Sequence, residues 1–289
     1  MSDISWFGFE NKDRDFPFYK KNPHVPKWGW IVLFIAMIFG LILTAGDTIQ
    51  ITFLSCVVII VPVLYFLKWD YNAIFQKPSL RDVALALALC AGYLAYALII
   101  STLLENVGIM GADLVEQSTV SIFEVIPLIF SLMTEEFLKF IPFMFFLRLI
   151  FKYSDNRKLS VVSSMLITMV FFASLHSLSW GTFIYAIFVQ GFGSIFEFFA
   201  YFKTKNILVS YICHYATDFL LYMCVIFGFW NFLNGDSLKT ENPFNLLKKE
   251  KVDEKHLQFF NGCFYCVFKV GHFDSVGFTF FKFFDNFFV

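Results

Sequence analysis

The sequence predicts an all-α protein, a polytopic transmembrane helical bundle of about seven spans, and three observations lead to this fold class. First, 58% of the 289 residues are hydrophobic and only 16% are charged, whereas soluble domains are about 45–50% apolar and about 25% charged. Second, long apolar stretches recur along the chain. Third, basic residues gather in alternate loops. The apolar composition and the long apolar stretches lead us to expect a lipid bilayer as a partner. The net charge of −1 excludes a strongly basic nucleic-acid-binding protein, so we expect no nucleic acid.

The predicted spans are helices because an open strand would leave backbone groups unpaired in hydrocarbon. A bilayer core about 30 Å thick needs about 20 mostly apolar helical residues. Seven stretches reach or approach this length: 28–46, 49–67, 83–104, 119–151, 159–179, 182–202 and 207–232. The fourth stretch would be about 50 Å long as a helix. We therefore expect it to tilt, protrude or break, and Pro142 is its natural kink point.

The loops predict the topology. The segments 68–82, 152–158 and 203–206 are basic, as is the N-terminal segment, and the loops between them carry no Lys or Arg. Because basic loops stay on the cytoplasmic side, we expect a multi-pass protein of the cell membrane with a cytoplasmic N-terminus.

We divide the chain into a polar cytoplasmic segment at 1–27, N-terminal transmembrane helices at 28–118, a core at 119–232 and a Phe-rich tail at 233–289. After seven crossings the tail would lie outside, although it is rich in lysine. Two interpretations of the tail stay open, namely an eighth, partly inserted span and a non-native extension.

Ionisable side chains inside the spans are candidates for a functional site, because a charge near the bilayer centre costs several kcal/mol. The fourth span carries Glu135, Glu136 and Lys139. The two glutamates point about 100° apart on a helix, and Lys139 is within pairing reach of both. One glutamate can therefore be held by Lys139 while the other stays free as a base; the alternative is a neutralised structural cluster. Glu197, in the sixth span, has no obvious partner.

Two later spans carry histidines. His176 ends the motif Phe172-x-x-x-His176, and His214 lies one helical turn before Asp218. Each alone is explained by a structural role, such as a histidine satisfied by a neighbour or a pair that joins two helices. Counted from the basic ends at 1.5 Å per residue, these residues and Glu135 lie within about 14 Å of one another in depth. We therefore expect one buried cluster.

Three motifs follow one another at similar intervals: Glu135-Glu136, Phe172-x-x-x-His176 and His214-x-x-x-Asp218. Their order and spacing resemble the CPBP family, which contains CAAX prenyl proteases and bacteriocin-processing membrane proteins. The likeness covers residues 119–232. Two positions depart from the family pattern. The usual Arg is replaced by Phe140, with Lys139 one place earlier as in PrsW-like membrane proteases, and Asp218 stands where Asn is commoner.

The resemblance implies a membrane-embedded endopeptidase. Glu135 would be the general base and His176 its partner in activating a water, while His214, assisted by Asp218, would stabilise the oxyanion. A base and donors aimed at developing charge in a low-dielectric cavity suit hydrolysis. The implied substrate is a membrane-anchored protein or peptide, with prenylated CAAX proteins as the family's named target. The predicted catalytic residues are Glu135, Glu136, His176, His214 and Asp218, with Lys139 and Phe172 in support.

The cofactor and two other function classes stay open. The resemblance favours a site without metal, in which Glu136 and Lys139 fix the helix and tune the base. Zinc is the alternative, because two nitrogens and two oxygens form an acceptable ligand set; the set is Glu135, His176, His214 and Asp218. A non-catalytic scaffold or immunity factor is favoured by the missing Arg. An ion-coupled transporter is the third class, because buried ionisable groups also mark ion pathways.

Overall fold

The computed structural model describes residues 6–226 apart from 21–22, 47, 110–124 and 178, and its regular structure in this part of the chain is helical throughout. The helices are α1 Lys27–Thr44, α2 Ile49–Phe66, α3 Leu80–Asn106, α4 Val125–Ser154, α5 Arg157–Leu175, α6 Trp180–Ala186, α7 Ile195–Thr204 and α8 Ile207–Ile226. A 3₁₀ turn spans Tyr71–Ala73, and a π-helical turn, Ile187–Gly191, follows α6. The Phe-rich tail at 233–289 lies outside the described residues.

Among the described residues, six helical segments are long and apolar enough to cross a membrane: α1, α2, α3, α5, α8 and the composite segment Trp180–Thr204. The 30-residue α4 is longer still but carries the charged residues of the first motif. With α4, the described part of the chain contains seven helical segments long enough to span a membrane. The prediction of an all-α bundle of about seven spans is therefore confirmed.

Capping residues set several helix starts. Ser79 and Asp82 form a reciprocal capping box at the start of α3, and Ser179 and Thr182 form one at the start of α6. The side chain of Asn156 accepts a hydrogen bond from the backbone of Leu159 at the start of α5. These polar residues satisfy the free N–H groups that each helix start would otherwise leave unpaired.

The long helix α4 does not break. It continues through Pro142 as one helix, about 45 Å long at 1.5 Å per residue. The residues before α1 pack along its last turns: the ring of Phe16 lies 5.4 Å from that of Phe143, and the ring of Tyr19 lies 5.1 Å from that of Phe151. The excess length of α4 is thus covered by protein.

The polar N-terminal segment is folded onto the bundle. Its aromatic side chains Phe16, Phe18 and Tyr19 directly follow its run of charges and are buried. The carboxylate of Glu10 is also buried and accepts two hydrogen bonds from Arg157, at 2.7 Å and 2.6 Å. We call residues 6–20 the N-terminal strap.

The four basic segments lie at one end of the bundle, which we call the basic end. The backbone N–H of Ile207 donates to the carbonyl of Ile74 at 2.9 Å, and Asn206 donates to the carbonyl of Gln76 at 2.8 Å. Glu10 joins the strap to the starts of α5 and α8. The alternation of basic loops in the sequence therefore reflects their common position.

A glycine lets the π-helical turn approach α5. A Cβ added at Gly191 would lie 2.9 Å from the backbone oxygen of Met169 and 3.0 Å from the Cβ of Ala173. Any side chain at this position would push the turn away from α5. The close approach sets the start of α7, which carries Glu197. The central helix α4 packs against α1, α2, α5 and α8, and α7 packs against α8.

Candidate active site

The side chains predicted to form one cluster do meet, where α4, α5, α7 and α8 come together. Glu135 Oε2 lies 3.9 Å from Nε2 of His176 and 3.8 Å from Nε2 of His214. The same Nε2 of His214 lies 3.8 Å from Oδ2 of Asp218. The predicted convergence of the three motifs is therefore observed.

The cluster has two parts that differ in exposure. Glu135, His176 and Asp218 have side chains that are 25–29% exposed, and we call them the outer group. Four side chains are only 4–7% exposed, and we call them the inner group: Glu136, Lys139, Glu197 and His214. The adjacent glutamates of the first motif thus face different environments, as the 100° step of a helix requires.

Glu136 is the held glutamate. Its Oε1 lies 2.5 Å from the ammonium of Lys139 and 2.9 Å from Nδ1 of His214. Its Oε2 accepts a 2.5 Å hydrogen bond from the hydroxyl of Ser210. The ammonium of Lys139 also bonds to the carboxylate of Glu197. A buried carboxylate is tolerated only with such partners.

Lys139 supplies the cation of the site. Its ammonium lies 4.8 Å above the ring centroid of Phe172, a cation–π distance. Phe140 stands where the resemblance expects Arg, and its ring packs against those of Phe137 and Tyr201 at 5.8 Å and 5.9 Å. Position 140 therefore belongs to the aromatic core, and the charge comes from the preceding residue.

Hydrogen bonds orient both imidazoles. Nδ1 of His214 faces a carboxylate oxygen of Glu136, which can only accept, so this nitrogen carries a proton and donates. Nδ1 of His176 lies 3.0 Å from the carbonyl oxygen of Phe172 and donates to it for the same reason. The ring of Phe172 also packs on His176, with centroids 4.5 Å apart. Both histidines therefore present Nε2 to Glu135.

Glu135 is the free glutamate. It makes no hydrogen bond to any residue that the structure describes, because its distances to the two Nε2 atoms exceed hydrogen-bond length. Polar separations of this size accommodate a small bridging molecule. The division expected from the sequence, one glutamate held by Lys139 and the other free, is thus observed.

The charges of the cluster do not balance without shared protons. Four carboxyl groups face one lysine and two imidazoles, and a low-dielectric site favours a net charge near zero. Protons must therefore be distributed among the carboxyl groups and imidazoles. Such groups at short distances are suited to general acid–base chemistry. A cavity of about 20 Å³, lined among others by Glu136 and Ser210, adjoins the inner group and has room for about one water molecule.

Two residues of the site are not among those predicted from the sequence. Glu197 bonds to Lys139, which is 58 positions away in the chain. The only sequence signal was a carboxylate inside an apolar span. Ser210 bonds to Glu136 and lies one helical turn before His214, on the same face of α8. A serine in a span is too common to single out.

The groups that come closest to a metal-binding arrangement differ from the predicted set. Within the described residues, ligand atoms of Glu136, Glu197 and His214 lie within 4.8 Å of one another. The expected set of Glu135, His176, His214 and Asp218 does not reach that spacing. The ammonium of Lys139 already bonds to both carboxylates of the closer trio. This donor set is therefore occupied by a cation of the chain itself.

The arrangement brings a free carboxylate, two imidazole nitrogens and a second carboxylate to one partly exposed position inside a membrane-spanning bundle. Comparisons of the chain with protein-family models, with curated proteins and with solved structures find no match.

Proposed function

We propose that this protein is an intramembrane endopeptidase that hydrolyses a peptide bond of a membrane-anchored substrate with a water activated by Glu135. One observation carries the proposal: the Glu135 carboxylate is free of hydrogen bonds to described residues and lies 3.9 Å and 3.8 Å from the Nε2 atoms of His176 and His214. The resemblance of the three motifs to CPBP proteases leads to the same chemistry.

Glu135 acts as the general base of the first step. It takes a proton from a water held beside Nε2 of His176, and the water oxygen attacks the carbonyl carbon of the peptide. The carbonyl electron pair moves onto its oxygen, which accepts a hydrogen bond from protonated Nε2 of His214. Donors placed at this oxygen stabilise the developing charge in a site of low dielectric.

The same carboxyl group completes the reaction. Protonated Glu135 delivers its proton to the leaving nitrogen as the carbon–nitrogen bond breaks, which regenerates the carboxylate. Asp218, 3.8 Å from Nε2 of His214, favours the positive charge that His214 carries as a donor. As a carboxylate it cannot itself donate a hydrogen bond to the oxyanion.

The substrate class follows from where the site lies. Glu135 is ten residues into α4 and faces the neighbouring spans α5 and α8, so a scissile bond must be held at or within the bilayer. A lipid anchor or a hydrophobic segment would keep it there, and a prenylated CAAX peptide is the first substrate to test.

The test is cleavage by the purified protein in liposomes, using a quenched-fluorescent farnesylated CAAX peptide and the same peptide without the lipid. We expect wild-type protein to cleave the lipidated peptide. Glu135→Gln should lose about 100-fold or more of the rate, the lower range for removal of a general base. Glu105→Gln is the matched control, because Glu105 is an exposed carboxylate at the end of α3, and it should keep full activity.

A second readout removes the dependence on one peptide. New protein N-termini are compared in membranes of cells that produce wild-type protein, Glu135→Gln or Glu105→Gln. Termini present with wild-type and Glu105→Gln but absent with Glu135→Gln support the proposal. If the three profiles are identical and no peptide is cleaved, the endopeptidase proposal is wrong, and a scaffold or an ion-coupled carrier becomes the better interpretation.

A further inference from the structure

Three side chains of the inner group form a donor set for a divalent cation. Ligand atoms of Glu136, Glu197 and His214 lie within 4.8 Å of one another, and all three residues are buried. Imidazole nitrogens and carboxylate oxygens are both ligand types that zinc binds, at distances of about 2.0–2.2 Å. Small shifts of the side chains would bring the three atoms to such distances.

The ammonium of Lys139 lies within this donor set. It bonds to Glu197, lies 2.5 Å from Oε1 of Glu136 and lies 3.4 Å from Nδ1 of His214. The ring of Phe172 closes a further side at 4.8 Å. A metal ion and this ammonium cannot both occupy the space between the two carboxylates, because their charges repel and their positions overlap.

Displacing the ammonium would also be costly. Lys139 is 3% exposed, and its neighbours Leu138 and Phe140 on α4 are also buried. A displaced ammonium would be a buried charge without a partner, which is strongly unfavourable. The cation that belongs to the chain is therefore favoured over one from solution.

We propose that the ammonium of Lys139 is the permanent cation of the Glu136, Glu197 and His214 trio and takes the place of a divalent metal. Glu197 is a positioning residue that holds this ammonium against Glu136, so that Glu136 in turn fixes Nδ1 of His214. If the protein is the proposed endopeptidase, this assignment means that it hydrolyses its substrate without a metal; in this respect alone it rests on the proposed function. Its test measures metal binding and does not require cleavage.

The experiment uses the full chain purified in detergent, stripped with EDTA and then incubated with Zn²⁺ or Co²⁺. Bound zinc is measured by elemental analysis after desalting, and bound cobalt by its visible absorption bands. Wild-type protein and Lys139→Arg should bind no metal at the trio. Lys139→Met, which removes the charge but keeps the length, should bind about one metal per chain with affinity that rises with pH. Lys139→Met combined with Glu197→Gln should lose that binding.

Two results would overturn the assignment. One is stoichiometric metal in wild-type protein that disappears in Glu197→Gln. The other is a folded Lys139→Met protein, with a normal circular dichroism spectrum, that binds no metal. Should Lys139→Met misfold, the unfolding temperature of wild-type protein decides, because a ligand that binds the folded state raises it. The assignment expects no change with Zn²⁺ or EDTA, and a rise with Zn²⁺ that Glu197→Gln abolishes contradicts it. Wild-type protein that binds no metal and cleaves nothing would support the assignment while removing the proposed function.

Discussion

The carboxylate of Glu10 and the ammonium of Lys205, 195 positions apart in the chain, lie 2.7 Å from each other at the basic end of the bundle. Arg157 donates to both oxygens of the same carboxylate, and the three side chains are at most 2% exposed. One buried acid thus joins the N-terminal strap, the start of α5 and the turn before α8. The strap contacts the C-terminal half of α4 at Phe143 and Phe151, whereas Glu135 lies in the N-terminal half of this helix.

Glu10→Gln should release the N-terminal strap. The amide keeps the shape of the side chain but removes the buried counter-charge that Arg157 and Lys205 share, leaving Arg157 only the half-buried Asp15, and breaking a buried pair costs about 3–5 kcal/mol. The rate of tryptic cleavage at the exposed Lys12 and Arg14 should rise markedly. Asp13→Asn makes the same chemical change on an exposed residue of the strap and should leave the rate unchanged. Equal rates for the two variants would contradict a docking role for Glu10.

The docking of the strap should depend on pH through the same acid. Burial alone would raise the pKa of Glu10, but hydrogen bonds from Arg157 and Lys205 and the charge of Lys205 outweigh burial and hold this pKa below 4.5. A depressed acid pKa gives stability that is present above 4.5 and is lost as pH falls through the folded-state pKa. The protection factors of residues 6–20 in amide hydrogen exchange, which are corrected for the intrinsic pH dependence of exchange, should therefore fall below pH 4.5. Asp15, which also faces Arg157, is retained in Glu10→Gln, so a similar acid transition in that variant would exclude Glu10 as its cause.

Lys205 should act in the opposite pH range. Burial lowers its pKa from 10.5 to about 8, although Glu10 opposes this shift. Because the folded state then binds fewer protons than the unfolded state between pH 8 and 10.5, the contribution of Lys205 to the free energy of unfolding should rise across that interval. Denaturant unfolding of wild-type protein and Lys205→Met at pH 8 and pH 10 measures this. The difference between the two proteins should shift in favour of wild type at the higher pH, and a shift the other way would exclude the assignment.

Gly191→Ala should destabilise the bundle by about 1–3 kcal/mol, the usual cost of overpacking. The added Cβ would meet the backbone of α5, which cannot move aside as a side chain can. Gly181→Ala is the matched control, because its Cβ would lie no closer than 3.8 Å to the Ser179 hydroxyl. Thermal unfolding in detergent compares them. Equal unfolding temperatures would show that the turn and α5 can separate without cost.

Ser210→Ala should weaken cleavage without abolishing it. A buried hydrogen bond to a charged group is worth about 1.5–3 kcal/mol, but Glu136 keeps Lys139 and His214 as partners. Ser164→Ala is the control, since the buried Ser164 hydroxyl donates only to a backbone carbonyl. It should change stability alone. The cleavage rates of both variants are measured well below their unfolding temperatures, so that both proteins are folded. If Ser210→Ala and Ser164→Ala then lower the rate equally, Ser210 has no part in positioning Glu136.

The two histidines should differ in what they support. His214→Ala removes a buried partner of Glu136 and should lower both stability and cleavage. His176→Ala removes a partly exposed ring that bonds only to a backbone carbonyl of its own helix, so cleavage should fall while the unfolding temperature changes little. Measuring both quantities on both variants checks this. Loss of stability in His176→Ala as large as in His214→Ala would contradict the division into inner and outer groups.

The sequence by itself determined the spans and the members of the outer group. The length of an apolar stretch and the cost of a charge within it are local properties, so α1–α5 and the acids and histidines of the three motifs could be found by inspection. Depth counting from the basic ends was enough to expect Glu135, His176 and His214 in one cluster, because a helix has a fixed rise per residue.

Tertiary structure alone decided the partners. Lys139 is in reach of both neighbouring glutamates along the helix, and the arrival of Glu197 from α7 and His214 from α8 directs it to Glu136. The sequence predicts a polar N-terminal segment because its charges are evident, but it does not show that Glu10 is buried against Arg157 and Lys205, which lie far along the chain. Ion pairs between distant residues depend on how helices tilt and pack, and no local pattern encodes that geometry.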